Sequence, residues 1–415
     1  MMGGDHRQLT ELAFNLLPLE ERAFFASVKD DLKNYGNYPD DFENPCEPVQ
    51  KKDQRDPSWQ RFVFLPDGKK SHWYGFHLGE PDNCAVFLKY FLEKIIAGIR
   101  EKEVMETAKF TGVFLHTIED AACPAHAVDE HILRSFAPPP STFKDNILHS
   151  MIEKCYIPLH FIQHQPRLLG PNLEQAIFHG CYEIYDMHRR SVGRAVPILM
   201  ALYEGKQKDA REFFSQACLE GIKVSADLIH TAFFLAKNSS EHEQSLKECD
   251  LRKLYPIVME QDLNYYELTL DRSRDIFNSG KLTPFRMYIK ERGRIKEKIF
   301  KYGIGTMTDS GARYADHRAK LVYFLYPGAY SRFQAIVGLH SQLARESKVK
   351  VQVLVDEKIS FEIPVLTEKE PAHKLDISIE GANRLTLLAC APDSTTPEIL
   401  TANKDIIWAN PILIR

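Results

Sequence analysis

The sequence predicts an all-α domain over residues 1–240 followed by an all-β sandwich over residues 251–415. Three observations carry that division. Apolar residues recur at helical spacing from about residue 7 to about residue 238. A polar stretch, Asn238-Ser-Ser-Glu-His-Glu-Gln244, then interrupts the pattern. From about Lys253 the chain turns to short strand-like runs separated by turn residues.

The elements follow in order. Leu9, Leu12, Ala13, Leu16 and Leu17 have the spacing of an amphipathic helix that ends near Pro18. A second helix is expected from Pro18 to Lys33, punctuated by Asn34-Tyr-Gly-Asn-Tyr-Pro39. Residues 36–83 read as loop, and a loop of that length in a compact domain is usually functional. Phe87, Leu88, Phe91, Leu92, Ile95 and Ile96 give a strong helix, and Val104 to Ile118 another. Pro124 cannot donate to a helix ladder, so that helix should kink or end there and let His126 turn away. Pro138-Pro-Pro140 marks a loop before a helix bearing His149, and helical spacing resumes over 173–203 and 210–236. In the second half, Phe333-Gln-Ala-Ile-Val337, Val349-Lys-Val-Gln-Val-Leu-Val355 and Leu385-Thr-Leu-Leu-Ala389 alternate or are β-branched, which suggests a sandwich.

Composition narrows the function classes. The 415 residues suggest two or three domains, and a net charge of −4 gives no overall basic field for duplex nucleic acid. That balance does not speak against a small single-stranded substrate held by metal ions. Eight cysteines, at 46, 84, 123, 155, 181, 218, 249 and 390, are too sparse for a disulfide scaffold and show no CxxC spacing. They read mainly as small buried hydrophobes and leave the redox compartment open. No run of 18 apolar residues predicts a transmembrane helix. The opening Met-Met-Gly-Gly-Asp-His lacks the charged-then-apolar pattern of a signal peptide.

The chemistry concentrates between Val113 and Glu153, where five candidate metal ligands fall within 41 residues. His116 and Asp120 are four apart, as are His149 and Glu153, and His126 lies between the pairs. Side chains at i and i+4 share one helix face, so each pair can aim at one point. Imidazole and carboxylate are ordinary zinc ligands. A single such pair is common by chance among sixteen histidines, whereas two pairs with an intervening histidine are less so.

Leu115-His-Thr-Ile-Glu-Asp-Ala-Ala-Cys-Pro-Ala-His-Ala127 resembles the L-H-x-x-x-D-x-x-x-P-x-H-A signature of the zinc-dependent phospholipase C and single-strand-specific zinc nuclease superfamily. Leu148-His-Ser-Met-Ile-Glu153 is similar to that family's H-S-x-x-[DE] pair. The resemblance implies further ligands upstream. His6 matches a near-N-terminal histidine, and Met1 stands where the family usually has a Trp whose backbone amine and carbonyl bind metal. Tyr38-Pro-Asp40 fits a carboxylate position, with Asp41 as the second choice. The next histidine is His77, which begins His-Leu-Gly-Glu-Pro-Asp-Asn83, or His72, after the Gly68-Lys-Lys70 turn. Glu119 replaces the Gly common in the family and adds negative charge beside the site. His131, His160, His164, His179 and His188 match no family position and read as structural or surface residues.

So read, the helical domain is expected to be a zinc-dependent hydrolase of phosphodiester bonds with two or three zinc ions. One ion takes Asp40, His77 (or His72), His116 and Asp120; a second takes His126, His149 and Glu153. A third takes Met1 and His6, with Asp120 bridging. Asp40 and Asp120 are expected to share in catalysis, Asp40 by orienting or deprotonating water. Glu153 in place of Asp favours the phospholipase C branch and a phospholipid head group as substrate. A nuclease would need an aromatic platform, for which Trp73, Tyr74 and Phe76 are candidates. Family members are usually exported.

The second half resembles the NPCBM family of jelly-roll carbohydrate-binding modules. The matching pieces are Gly303-Ile-Gly-Thr306 with Ser310, Phe333-Gln-Ala-Ile-Val-Gly338 and the Val351-to-Phe361 strand pair. Ile379-Glu-Gly381, Leu385-Thr-Leu387 and Trp408-Ala-Asn-Pro411 follow in the family's order. The usual Asp-Gly hairpin reads Asp356-Glu357 here. The resemblance implies a glycan ligand, although Trp408 can equally be a core aromatic. A non-catalytic glycan-binding protein is therefore the rival from another class.

Overall fold

The computed structural model describes residues 3–41, 60–75, 77–141, 143, 147–157, 159, 162–237, 246–260, 268–275, 281–307, 318–344, 347–390 and 405–415. The chain divides into two compact units, Met1–Gln244 and Ser245–Arg415.

Among the described residues, the first unit is built from helices, with one isolated bridge between Phe64 and Lys70. It runs α1 (Gly3–Leu16), α2 (Leu19–Phe25), α3 (Lys29–Tyr35), α4 (Tyr38–Asp41), α5 (Gln60–Val63) and α6 (Ser71–Gly75). The longer helices follow: α7 (Pro81–Glu101) and α8 (Val104–Ala122), then the short α9 (Pro124–Ala127), α10 (Glu130–Phe136) and α11 (Leu148–Glu153). Two 31-residue helices, α12 (Leu173–Tyr203) and α13 (Gln207–Lys237), complete the unit.

α8 is the hub. α1, α3, α6, α7, α12 and α13 pack around it, and every residue from Phe110 to Ala122 is buried, so this stretch has no solvent face. Its polar residues are therefore inside the protein. Phe114 stacks on Phe87 with centroids 5.4 Å apart and meets Phe91 at 5.7 Å, which fixes α7 against α8. Arg100 near the end of α7 donates to the carbonyls of Leu235 and Ala236, satisfying terminal acceptors of α13. Buried Asp227 accepts from the Arg167 backbone and guanidinium and lies 2.6 Å from His164 Nε2, which ties residues 164–169 onto α13.

Two expectations change in this half. The single helix from Pro18 to Lys33 is broken by a 3-10 turn at Ala26–Val28. The turn lets Phe24 and Phe25 both meet Phe233, at 5.5 and 5.8 Å, while Leu32 and Tyr35 are buried in the following helix. The loop expected over 36–83 contains α4, α5 and α6, too short to show periodicity and held by tertiary contacts such as Phe62 on Phe110 at 4.8 Å.

The second unit holds fourteen strands among its described residues. They are β1 (Glu248–Asp250), β2 (Val258–Glu260), β3 (Thr269–Leu270), β4 (Arg272–Asp275), β5 (Lys281–Glu291), β6 (Arg294–Phe300) and β7 (Gly303–Met307). Then come β8 (Ala319–Phe324), β9 (Arg332–Leu339), β10 (Lys348–Val355), β11 (Lys358–Thr367), β12 (His373–Ser378), β13 (Arg384–Cys390) and β14 (Asp405–Ile414). One antiparallel sheet has the order β12-β9-β14-β7-β3 with β1 also on β14; the other has the order β11-β10-β13-β8-β2. Alternate residues such as Phe333, Val337, Val351 and Leu387 are buried, as the layers of a sandwich require. β1 pairs with the C-terminal strand, Glu248 opposite Ile414, so this unit begins before residue 251.

β4, β5 and β6 form a separate three-stranded ribbon. Trp408 is 1 % exposed and lies in register with Ile304 and Val337, which makes it a core residue. At the β10–β11 hairpin Asp356 and Glu357 have φ of 46° and 65°, the left-handed turn that an Asp-Gly pair usually fills. Asp356 Oδ1 accepts from the backbones of Asn383 and Arg384, anchoring the turn. The seven described cysteines are buried and form no disulfide among the described residues.

Candidate metal centre

Five helices bring the site together. α8 carries His116 and Asp120 one turn apart, both buried. α8 ends at Ala122, Cys123 is extended, and Pro124 opens α9, which carries His126. α11 carries His149 and Glu153 one turn apart. From the N-terminal side, α1 contributes His6 and α4 contributes Asp40.

The ligand atoms fall into two groups, His6 with His116 and Asp120, and His126 with His149 and Glu153, each within a span of 4.8 Å. Asp120 lies between them. Its Oδ1 is 3.4 Å from His6 Nε2 and 3.6 Å from His126 Nε2, and its Oδ2 is 3.1 Å from His116 Nε2. Asp40 joins the first group, 3.5 Å from His116 Nε2 and 3.7 Å from His6 Nε2. In the second group Glu153 Oε1 is 3.3 Å from His126 Nε2 and 3.4 Å from His149 Nε2.

The histidines are oriented from behind. Backbone carbonyls only accept, so His116 Nδ1, 2.8 Å from Gly36 O, and His149 Nδ1, 3.1 Å from Ala125 O, carry the N–H. Their Nε2 atoms are then the lone-pair donors that face the carboxylates. His6 Nδ1 is 2.7 Å from Glu119 Oε2, and Thr10 donates to Glu119 Oε1 at 3.0 Å, so Glu119 holds the His6 ring; ionised, as a neighbouring cation would favour, it leaves the lone pair on Nε2. His6 Nε2 is buried without a hydrogen-bond partner among the described residues. A buried lone pair aimed between carboxylate oxygens fits a cation.

Protonation follows burial and neighbours. Burial pushes the His6 imidazole down to about 3, which keeps it in its neutral, metal-binding form, and pushes the Glu119 carboxyl well above its usual range. Burial opposes the charge on Asp120, but His126 and His116 outweigh it and hold that carboxyl well below the usual range. Glu153 is likewise held far down by His126 and His149 against the cost of burial.

Close backbone approach sets the geometry. A Cβ on Gly112 of α8 would stand 2.4 Å from Leu32 O and 2.8 Å from the Gly36 nitrogen, so only Gly lets this turn lie against α8 and offer its carbonyl to His116. Gly75 at the end of α6 is also close, though less tightly: its Cβ would be 3.1 Å from Asp120 Cβ.

The structure thus brings together His6, Asp40, His116, Asp120, His126, His149 and Glu153. It does not bring His77 to either group. That side chain is 58 % exposed and faces Glu80 at 3.7 Å, because it sits in the turn after α6 and not on the helix itself. His72 stands in α6 one turn before Gly75; its side chain, that of Asp41, and all of Met1 lie outside the described residues. Tyr74 of the supposed stacking platform is buried and donates to Asp67 at 2.9 Å, while Trp73's side chain and Phe76 lie outside the described residues. Sequence reasoning missed Thr10 and the carbonyls of Gly36 and Ala125. His6 and Thr10 are four apart on α1, a spacing that could have paired them with Glu119.

Comparison with known proteins identifies the second unit. Residues 272–411 match the family model of the NPCBM/NEW2 domain, and this part of the chain is an NPCBM domain. No curated protein matches the chain. Among solved structures, the CBM51 domain of Clostridium perfringens GH95 in complex with methyl-galactose is similar at 19 % identity and a TM-score of 0.31, over 40 % of this chain and 99 % of that one. Alpha toxin from Clostridium absonum is similar at 9 % identity and a TM-score of 0.36, over 98 % of this chain and 92 % of its own. The alpha-toxin of Clostridium perfringens from avian strain SWCP is similar at 10 % identity and a TM-score of 0.30, over 97 % and 85 %.

Proposed function

We propose that the helical unit is a zinc-dependent hydrolase of phosphodiester bonds, phospholipase C-like in its ligand set, and that the NPCBM domain binds glycan. A spacing carries the metal reading. Two ligands bound at about 2.1 Å to a tetrahedral zinc stand about 3.4 Å apart. The seven nitrogen–oxygen separations across the two groups run from 3.1 to 3.7 Å. Most are longer than a good N–H···O hydrogen bond and suit donors that share an ion.

Zinc held there would polarise a phosphate, lower the pKa of a bound water and neutralise a leaving oxygen. His6, Asp40, His116 and Asp120 would hold one part of that charge and His126, His149 and Glu153 the other. Asp120, 1 % exposed, is the carboxylate between the groups; Asp40, 22 % exposed, reaches solvent and would orient or deprotonate an entering water. His72, on the helix whose Gly75 abuts Asp120, takes the ligand role in preference to His77. A Met1 backbone ligand would complete a third ion beside His6. The phosphodiester of a phospholipid head group is favoured over single-stranded nucleic acid, since buried Tyr74 is withdrawn from base stacking.

Elemental mass spectrometry of the purified, tag-free protein tests the first step, with two or three zinc ions per chain expected. Hydrolysis of a chromogenic phosphocholine diester, lost in His116→Ala and Asp120→Asn, tests the second. Cleavage of single-stranded DNA in its place would make the nuclease reading lead. A protein that takes up no zinc on reconstitution would leave glycan binding as the whole function.

A further inference from the structure

The ribbon of β5 and β6 is densely charged and solvated. Between Arg286 and Lys301 there are seven basic and two acidic side chains, a local charge of +5 in a chain whose net charge is −4. Residues 294–299 of β6 are all exposed, on both faces of the strand, and among the described residues β6 pairs only with β5. Its inner end is fixed, because Phe285, Met287 and Phe300 are buried in the unit's core, so the ribbon projects from a firm base.

The outer face is mixed. Ile295 and Ile299 are 55 % and 52 % exposed. In register they lie opposite Lys290 and Arg286. Glu297, between them, is matched by Arg286 at 3.1 Å and by Ser341 at 2.7 Å, which removes the one acidic charge on that strand. The other face of β6 adds Arg294, Lys296 and Lys298, and the turn adds Arg292, with φ of 51°, before Gly293. Two isoleucines about 13 Å apart along one strand, flanked by long cationic stems, can enter an interface while the charges meet anions.

We propose that this ribbon docks the protein on an anionic lipid surface. Charge complementarity and the exposed isoleucines together select that occupant. A nucleic acid strand would use the charge but leave the isoleucines idle, and the ribbon offers little for stacking: Phe300 is buried, Tyr288 half-buried, and the exposed Tyr302 just beyond it carries the Arg252 guanidinium over its ring at 4.4 Å. A second copy pairing edge to edge would set lysine against lysine. Surface attraction of this kind falls with ionic strength and rises with each nearby basic residue.

The test uses the full chain in EDTA, so that the metal centre cannot hold the lipid. Co-sedimentation is measured on phosphatidylcholine vesicles with and without about 30 mol % phosphatidylglycerol, at about 0.05 and 0.3 M salt. At least about tenfold tighter binding to the anionic vesicles, weakened by salt, is expected. Lys296→Glu with Lys298→Glu should abolish that preference, and Ile295→Ser with Ile299→Ser should weaken binding several-fold, each with an unchanged melting temperature. Equal binding to both vesicle types, or charge variants that bind like the parent, would overturn the proposal. Binding to heparin or single-stranded DNA as tight as to vesicles and indifferent to the isoleucine change would overturn it too, in favour of a plain polyanion contact.

Discussion

At the scale of single residues, Glu119 is the instructive one. Placed on a helix beside Asp120, it reads from the sequence as negative charge added beside the site, and the fold puts it 1 % exposed behind His6 with Thr10. Carboxylates behind a ligating histidine raise its basicity and hold its ring, and losing one typically costs about 10–100-fold in metal affinity. Glu119→Ala should therefore weaken zinc in the His6 group by about that factor while the His126 group keeps its ion. Titration of zinc into the apo variant reads both sites separately; equal weakening at both would point to a general structural fault. Glu357 offers a contrasting case. Its φ of 65° costs a residue with a Cβ about 1 kcal/mol, so Glu357→Gly should raise stability by about that amount in chemical denaturation.

At the scale of elements, α8 has to satisfy packing and chemistry at once. One flank presents Phe114 to Phe87 and Phe91, and another presents Gly112 to the turn after α3. Gly112→Ala should push that turn off α8 and carry the Gly36 carbonyl away from His116. The expected result is a loss of zinc affinity together with a lower melting temperature, whereas Phe114→Leu should cost stability alone. The contact of α2 with α13 is an electrostatic case. His230 Nδ1 lies 2.8 Å from buried Glu21, whose hydrogen bond raises the imidazole's pKa. A raised folded-state value gives stability that is fully present below about pH 6.5 and is lost as pH rises through the folded value. Melting temperature should fall across that window in the parent protein and change less in Glu21→Gln.

At the scale of the whole molecule, the candidate metal ligands all lie in the helical unit. Bringing Asp40, Asp120 and Glu153 among four histidines is costly without a cation, so zinc should raise the melting of the helical unit and leave the sandwich transition where it was. Scanning calorimetry with zinc and with EDTA separates the two; a shift in both transitions would speak against the assignment. Removing residues 245–415 should lower hydrolysis of an aggregated lipid substrate much more than that of a soluble ester, because tethering raises local concentration.

The sequence by itself determined the helical half, the polar break near residue 240, the strands beyond it and the candidate ligand pairs at helical spacing. Those features are local: period, proline placement and i, i+4 geometry are written in neighbouring residues. Only the tertiary structure decided that His6 and Asp40 reach α8, that His77 does not, and that Trp408 is core. These depend on which segments approach across more than thirty residues of chain, as His6 does to Glu119 over a separation of 113. Glycines 36, 75 and 112 permit that approach, and nothing beside them in the chain announces it. A ligand pair one turn apart is a property of one helix, but a closed donor set is a property of packing.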